Sequence, residues 1–95
     1  MYTTLAEVSI GDLATFISVF ATRGAGMRRK HGSHGAEVLG AAEDPNRVYV
    51  LIDWESREHF ERFRADPDVP PTMKSGGATA PPRFTPLTRV GSFPA

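Results

Sequence analysis

The segment that most constrains the fold is residues 48–54, VYVLIDW. It carries one charge, and its other residues are apolar or aromatic, as in β-strands. An antiparallel strand with one face in water should alternate apolar and polar residues. Here Val48, Val50 and Ile52 point to one side, whereas Tyr49 and Leu51 point to the other. A chain of 95 residues has helices for one face only, so we expect a second subunit, a ligand or both to cover the other face.

The composition indicates one domain, which we place at residues 1–95. Lys plus Arg and Asp plus Glu number 11 each, and this balance argues against nucleic acid as the main partner. The absence of cysteine excludes disulfides and thiolate chemistry and fits a reducing cytoplasm. We see no signal peptide and no run near the roughly 20 apolar residues of a membrane span. We therefore expect a cytoplasmic protein without a membrane partner.

Capping and turn residues divide the chain into strands and helices. We predict strands over residues 3–10, 35–42, 47–54 and 83–93, a helix over 56–65 and a short helix over 68–75. A first helix should begin at residue 12, weaken at Gly24-Ala25-Gly26, and continue for a turn or two to His31. Asp12 and Ser56 are the predicted N-caps, and Gly32 is the predicted end of the first helix. Residues 44–47 form the predicted turn before the third strand. Pro86 cannot donate to a ladder, so the last strand should be an edge or carry a bulge.

The predicted order is βαββαβ, which is the ferredoxin-like arrangement. We therefore predict an α+β fold with a four-stranded antiparallel sheet and both helices on one face. Two such sheets can pack bare face to bare face and close a barrel around a common interior. The predicted assembly is a homodimeric α/β barrel.

Several segments carry a resemblance to a known superfamily. They are residues 47–56, Phe60-x-x-Phe63, Ala65-Asp66-Pro67, Met73-Lys74-x-Gly76-Gly77, and Pro82 with the strand after it. In order and spacing they resemble the dimeric α/β-barrel superfamily, which holds antibiotic-biosynthesis-monooxygenase-like, EthD-like and stress-responsive A/B-barrel proteins. The resemblance spans about residues 8–90 and implies a homodimer with a cavity between sheet and helices. Members include cofactor-free oxygenases of aromatic polyketides, haem-degrading enzymes and isomerases, so fold alone does not name the reaction.

Two histidines, His31 and His34, are candidate catalytic groups because imidazole titrates near neutral pH. Their spacing would suit a metal on a helix, but Gly32 interrupts the helix and no third ligand lies nearby. The alternative is that His31 is a cation at the end of a helix and His34 a loop residue. The adjoining cluster Arg28-Arg29-Lys30 is either a solvated helix end or a site for an anionic ligand.

Asp53 is the third candidate for acid–base chemistry, unless it is a solvated strand end. Tyr49, Trp54 and Met73 are candidate substrate-binding residues, because aromatic and thioether groups line apolar pockets. For Trp54 and Met73 the alternative is ordinary core packing. His59 follows the cap Ser56 by three residues, so we predict a structural role for it.

We expect the cavity to bind a small, largely apolar molecule, for example an aromatic one. The protein would then act as a monooxygenase-like or isomerase-like enzyme without a bound cofactor. One alternative is a non-catalytic ligand-binding or assembly module, in which side chains should fill the cavity. A second alternative is a haem-binding or haem-degrading protein, although the residues around His31 do not match a haem motif.

Overall fold

The computed structural model describes all 95 residues and contains four strands and four helices. They are β1 (Tyr2–Ser9), α1 (Leu13–Ala21), α2 (Arg23–Lys30), β2 (Ser33–Ala41), β3 (Asp44–Trp54), α3 (Arg57–Ala65), α4 (Val69–Ser75) and β4 (Arg83–Leu87). All strand pairs are antiparallel, and the sheet order is β2-β3-β1-β4. The predicted ferredoxin-like α+β fold is confirmed. None of the helices has the length and apolar character that crossing a membrane requires.

One face of the sheet forms the core. Alternate residues of the two central strands are buried on this face: Ala6 and Val8 from β1, and Val48, Val50, Ile52 and Trp54 from β3. Phe60 and Phe63 of α3 pack on Trp54, with ring centroids 5.7 and 4.7 Å away. Full burial of such side chains contributes roughly 1.5–3 kcal/mol each. The other helices, α1, α2 and α4, contact one another and form a layer that we call the roof.

The opposite face carries no helix. We call it the open sheet face and define it by Leu5, Leu39, Tyr49, Leu51 and Leu87. Leu39 is 50% exposed and Leu87 40% exposed, and the other three are partly buried. The inference from residues 48–54, that the chain's helices cover only one face, is confirmed.

The first predicted helix is interrupted earlier than expected: it divides at Thr22 into α1 and α2, not at the predicted weak point Gly24-Ala25-Gly26. The Thr22 hydroxyl donates to the Ser18 carbonyl at 2.7 Å, so its backbone leaves the helical conformation. Gly24 and Gly26 then weaken the second helix by about 1 kcal/mol each relative to alanine. The predicted ends hold: Asp12 accepts the Thr15 amide at 2.8 Å, and Gly32 follows α2 with φ +78°.

The predicted turn at residues 44–47 is also wrong, because residues 42–43 make the turn and β3 begins at Asp44. The ladder shifts register between Gly40 and Ala41, and this irregularity accommodates Pro45, which has no N–H to donate. Asn46 donates its side-chain amide to the carbonyls of Ile10 and Gly11, so this end of β3 is tied to the end of β1.

Two strand boundaries also differ. The second strand begins at Ser33 rather than residue 35, with a register shift before Gly35. The last strand ends at Leu87 rather than residue 93, because Leu87 already pairs with Thr3 and β1 has only one residue left beyond it. The prediction that Pro86 lies in an edge strand is confirmed.

Ser56 caps α3 and hydrogen-bonds the His59 ring at 2.6 Å, which agrees with the structural role predicted for His59.

Candidate functional site

An apolar cavity lies between the core face of the sheet and the roof. Its volume is about 70 Å³, and the space widens to about 600 Å³ when the opening towards solvent is included. Twelve of its sixteen lining residues are hydrophobic. The sheet contributes Ala6, Val8, Val50, Ile52 and Phe84, and the helices contribute Phe16, Val19, Phe20, Met27, Phe63, Val69 and Met73. Met27 and Met73 are the adaptable members of this wall, because methionine changes rotamer easily.

Arg28 is the only charged residue that lines the cavity. Its guanidinium lies over the Phe20 ring, 3.7 Å from the centroid. Partial burial, with repulsion by Arg29, lowers the pKa of the Arg28 guanidinium, which still stays protonated at neutral pH. Of the basic cluster noted in the sequence, Arg28 faces the cavity, whereas Arg29 and Lys30 are exposed.

His31 lies at the end of α2 in a cluster with Asp66. Its Nε2 is 2.7 Å from Asp66 Oδ2, its side chain is 12% exposed, and its ring meets Phe63 edge-on. Asp66 also accepts the Asp68 amide at 2.9 Å and Lys30 Nζ at 3.0 Å. The amide of Asp68, then His31 and Lys30, hold the pKa of the Asp66 carboxyl well below its usual range. This cluster fastens α2 to the end of α3.

His34 lies apart from His31, at the start of β2, where its ring hydrogen-bonds Glu55. Both side chains are largely exposed. The contact with His34 lowers the pKa of the Glu55 carboxyl. The two predicted histidines are therefore not brought together. No group of three or more His, Cys, Asp or Glu side chains is placed to hold a metal ion.

Asp53 and Tyr49 lie on the opposite side of the sheet from the cavity. Asp53 Oδ1 accepts hydrogen bonds from Arg89 Nη1 and Thr3 Oγ1, both at 2.6 Å. These partners, Arg89 first, lower the pKa of the Asp53 carboxyl, and Asp53 raises the pKa of Arg89. Tyr49 pairs with Glu7 and Leu39 across the neighbouring strands.

Of the three predicted substrate-binding residues, only Met73 lines the cavity. Trp54 is fully buried beside α3, and its Nε1 donates to Thr4 Oγ1 at 3.0 Å, so it packs as core. The residues that line the roof side of the cavity, Phe16, Phe20, Gly24 and Met27, stand at helical spacing in the sequence. That spacing predicts a core face, and no sequence signal separates a filled core from one that encloses a cavity.

A four-stranded antiparallel sheet, with helices on one face and an apolar cavity beneath them, defines a small ferredoxin-like α+β protein. The family model described as antibiotic biosynthesis monooxygenase matches residues 1–73, and the chain belongs to this family. The predicted resemblance is confirmed, and the chain is a monooxygenase-like α/β protein.

Solved structures agree with this fold. SnoaB, a cofactor-independent oxygenase from Streptomyces nogalater, has a TM-score of 0.76 at 23% identity, over 99% of this chain and 97% of that one. A candidate antibiotic biosynthesis monooxygenase from Bordetella bronchiseptica has a TM-score of 0.77 at 22% identity, over 94% and 96% of the two chains. Another from Deinococcus radiodurans has a TM-score of 0.69 at 11% identity, over 100% and 98%. A comparison with curated proteins finds no match.

Proposed function

We propose that this protein is a monooxygenase that works without a bound cofactor on a small, largely apolar, aromatic substrate. The observation that carries the proposal is the apolar cavity beneath the roof, with a single charged side chain in its wall. An assembly module would have this volume filled by side chains, so the open cavity favours ligand binding. The similarity to SnoaB, a cofactor-independent oxygenase, supports the type of reaction.

Such a reaction needs a substrate that reduces oxygen itself. An aromatic ketone with an acidic methylene loses one proton to give a carbanion, which transfers an electron to O2. The carbon–oxygen bond then forms, and loss of water leaves a second ketone. In the balanced reaction, one CH2 group and one O2 give one C=O group and one H2O. The substrate therefore supplies all four electrons that reduce O2. The cavity binds the flat ring system and excludes water, which strengthens the electrostatic interactions that stabilise the anion.

We assign the acid–base role to His31, which does not itself line the cavity but packs edge-on against the cavity-lining Phe63, with one ring nitrogen held by Asp66. A carboxylate that fixes one imidazole nitrogen orients the ring for proton transfer. His34 and Asp53 pair with Glu55 and Arg89 outside the cavity, and we give neither a role in the reaction.

We expect the protein to consume one O2 for each anthrone converted to anthraquinone, measured with an oxygen electrode and by absorbance. His31→Gln should lower the rate roughly 100-fold, because general acid–base catalysis typically contributes this much. His34→Gln is the matched control and should leave the rate within about twofold, since its ring is exposed and outside the cavity. An equal loss in both variants would contradict the role of His31. No enhanced oxygen uptake with any aromatic ketone that has an acidic methylene would contradict the proposed reaction.

We further infer that two copies pair through the open sheet face to form a homodimer. Charges of both signs flank the apolar residues of this face. Glu7 forms ion pairs with Arg47 and Arg83, and Asp53 forms one with Arg89. A twofold axis places the same patch on both subunits, so a surface that carries both signs can pair opposite charges across it. Stable interfaces of this kind bury about 800 Å² per partner.

Leu51→Glu is expected to convert the dimer into a monomer. Leu51 lies on a central strand, opposite Leu5 and Glu37, so each copy would bury an added carboxylate near an existing one. The dissociation constant should rise roughly 100-fold or more. Native mass spectrometry at low micromolar concentration measures this change. The control is Leu13→Glu, which alters a leucine on α1 that is 49% exposed and outside the sheet. A monomeric wild type would overturn the inference.

A further inference from the structure

Arg28 is a cation without a counter-ion in the wall of an apolar cavity. None of the seven ion pairs in the molecule includes it. Its one close interaction is with the face of the Phe20 ring, 3.7 Å away. The ring face attracts the cation but accepts none of its N–H donors as a carboxylate would. The guanidinium thus keeps donors free beside the space that a ligand would occupy.

Neighbouring residues leave room for this guanidinium. Gly24 lies one turn earlier on α2, and a Cβ there would stand 3.2 Å from Arg28 Nη1. The Phe20 ring lies against the same guanidinium, with its centroid 3.7 Å from Arg28 Cζ. A planar guanidinium fixed on an aromatic face presents its donors in one direction, which suits an oxyanion better than a freely rotating ammonium would.

We infer that the ligand of this cavity carries an anionic oxygen beside its apolar ring system, and that Arg28 binds that oxygen. The inference rests on the proposed function in one respect, since both require a ligand beneath the roof. It adds the chemical class: an aromatic carboxylate, phenolate or enolate rather than a neutral hydrocarbon. In the oxygenation proposed above the enolate is the reacting species, so Arg28 would stabilise it directly.

A pair of fluorescent probes separates the charge from the ring system. 1-Anilinonaphthalene-8-sulfonate is anionic, and N-phenyl-1-naphthylamine has the same aromatic body without the sulfonate. We expect wild-type protein to bind the anionic probe more tightly. Arg28→Gln should lower the affinity for the anionic probe roughly 10- to 100-fold, the usual loss for a charge-assisted hydrogen bond. The affinity for the neutral probe should change less than about threefold. Arg29→Gln, which removes an exposed charge from the next position, should change the affinity for neither probe.

Displacement of the neutral probe identifies the kind of oxyanion. Either 2-naphthoate at pH 7 or ionised 2-naphthol at pH 10 should displace it in an Arg28-dependent way, and these results point to a carboxylate or a phenolate ligand respectively. If the neutral probe binds but neither anion gains affinity from Arg28, the inference about charge is overturned and the proposed cavity stands. If no probe binds folded wild-type protein, both are overturned. Circular dichroism of each variant confirms that the fold is intact.

Discussion

Trp54→Ala is expected to lower the free energy of unfolding by about 3–5 kcal/mol. Trp54 is completely buried, and its ring lies between β3 and the two phenylalanines of α3. The change removes the largest side chain of the core and leaves a cavity that these aromatic rings cannot fill by small shifts. It also leaves Thr4 Oγ1 without its donor. Since small domains are stable by about 5–15 kcal/mol in total, the variant should be at the edge of folding.

Urea unfolding followed by far-ultraviolet circular dichroism measures this loss. Phe93→Ala is the matched control, because Phe93 is 86% exposed and should change stability by less than about 0.5 kcal/mol. Trp54→Phe keeps most of the ring and should fold well enough for ligand studies. Because Trp54 does not line the cavity, this variant should bind the neutral naphthylamine probe as the wild type does. A selective loss of probe binding would instead favour the substrate-binding role predicted from the sequence.

Asp66→Asn is expected to remove much of the acid sensitivity of the fold. In the folded protein the Asp66 carboxylate accepts the Asp68 amide, His31 and Lys30, and these contacts lower its pKa well below the unfolded value of about 4. A carboxyl with a lowered folded pKa stabilises the native state above the unfolded pKa. This stabilisation is lost as the pH falls through the folded pKa. Asparagine can still accept the Asp68 amide but carries no charge for His31 and Lys30.

The stability of wild type and variant should therefore differ most above pH 4 and converge towards pH 2. Urea midpoints measured from pH 6 to pH 2 give this difference directly. Asp68→Asn is the control, since the Asp68 side chain makes no capping hydrogen bond in α4, and it should parallel the wild type at every pH. A gap between wild type and Asp66→Asn that stays constant down to pH 2 would mean that the charge of Asp66 is not the cause.

The fold could be predicted from the sequence because its strongest signals are local. The apolar run at residues 48–54 marks a strand with apolar residues on both faces, and Asp12, Ser56 and Gly32 mark helix ends through short-range hydrogen bonds or a positive φ. The errors lie where local preferences compete. The Thr22 hydroxyl bonds the Ser18 carbonyl where a helix divides that the apolar spacing would continue. The register shift near Gly40 places the turn at residues 42–43, before the predicted 44–47.

The site was harder to predict, because it depends on which side of an element each residue faces across the whole fold. His31, His34 and Asp53 are chemically plausible partners in the sequence, yet they lie at the end of α2, at the start of β2 and on the open sheet face. Arg28 looks like its neighbours Arg29 and Lys30 in the sequence. Only the packing of α2 against α1 turns it towards Phe20 and the cavity.

The cavity beneath the roof has a consequence for how the molecule opens. The roof helices contact one another over a partly empty space, whereas β1 and β3 are joined by a ladder of eight residue pairs. Local opening follows the number of apolar contacts that must be broken, so the amides of α1 and α2 should exchange with solvent deuterium before those of the central strands. Such opening would enlarge the mouth of the cavity, while the sheet that shapes the cavity floor stays intact.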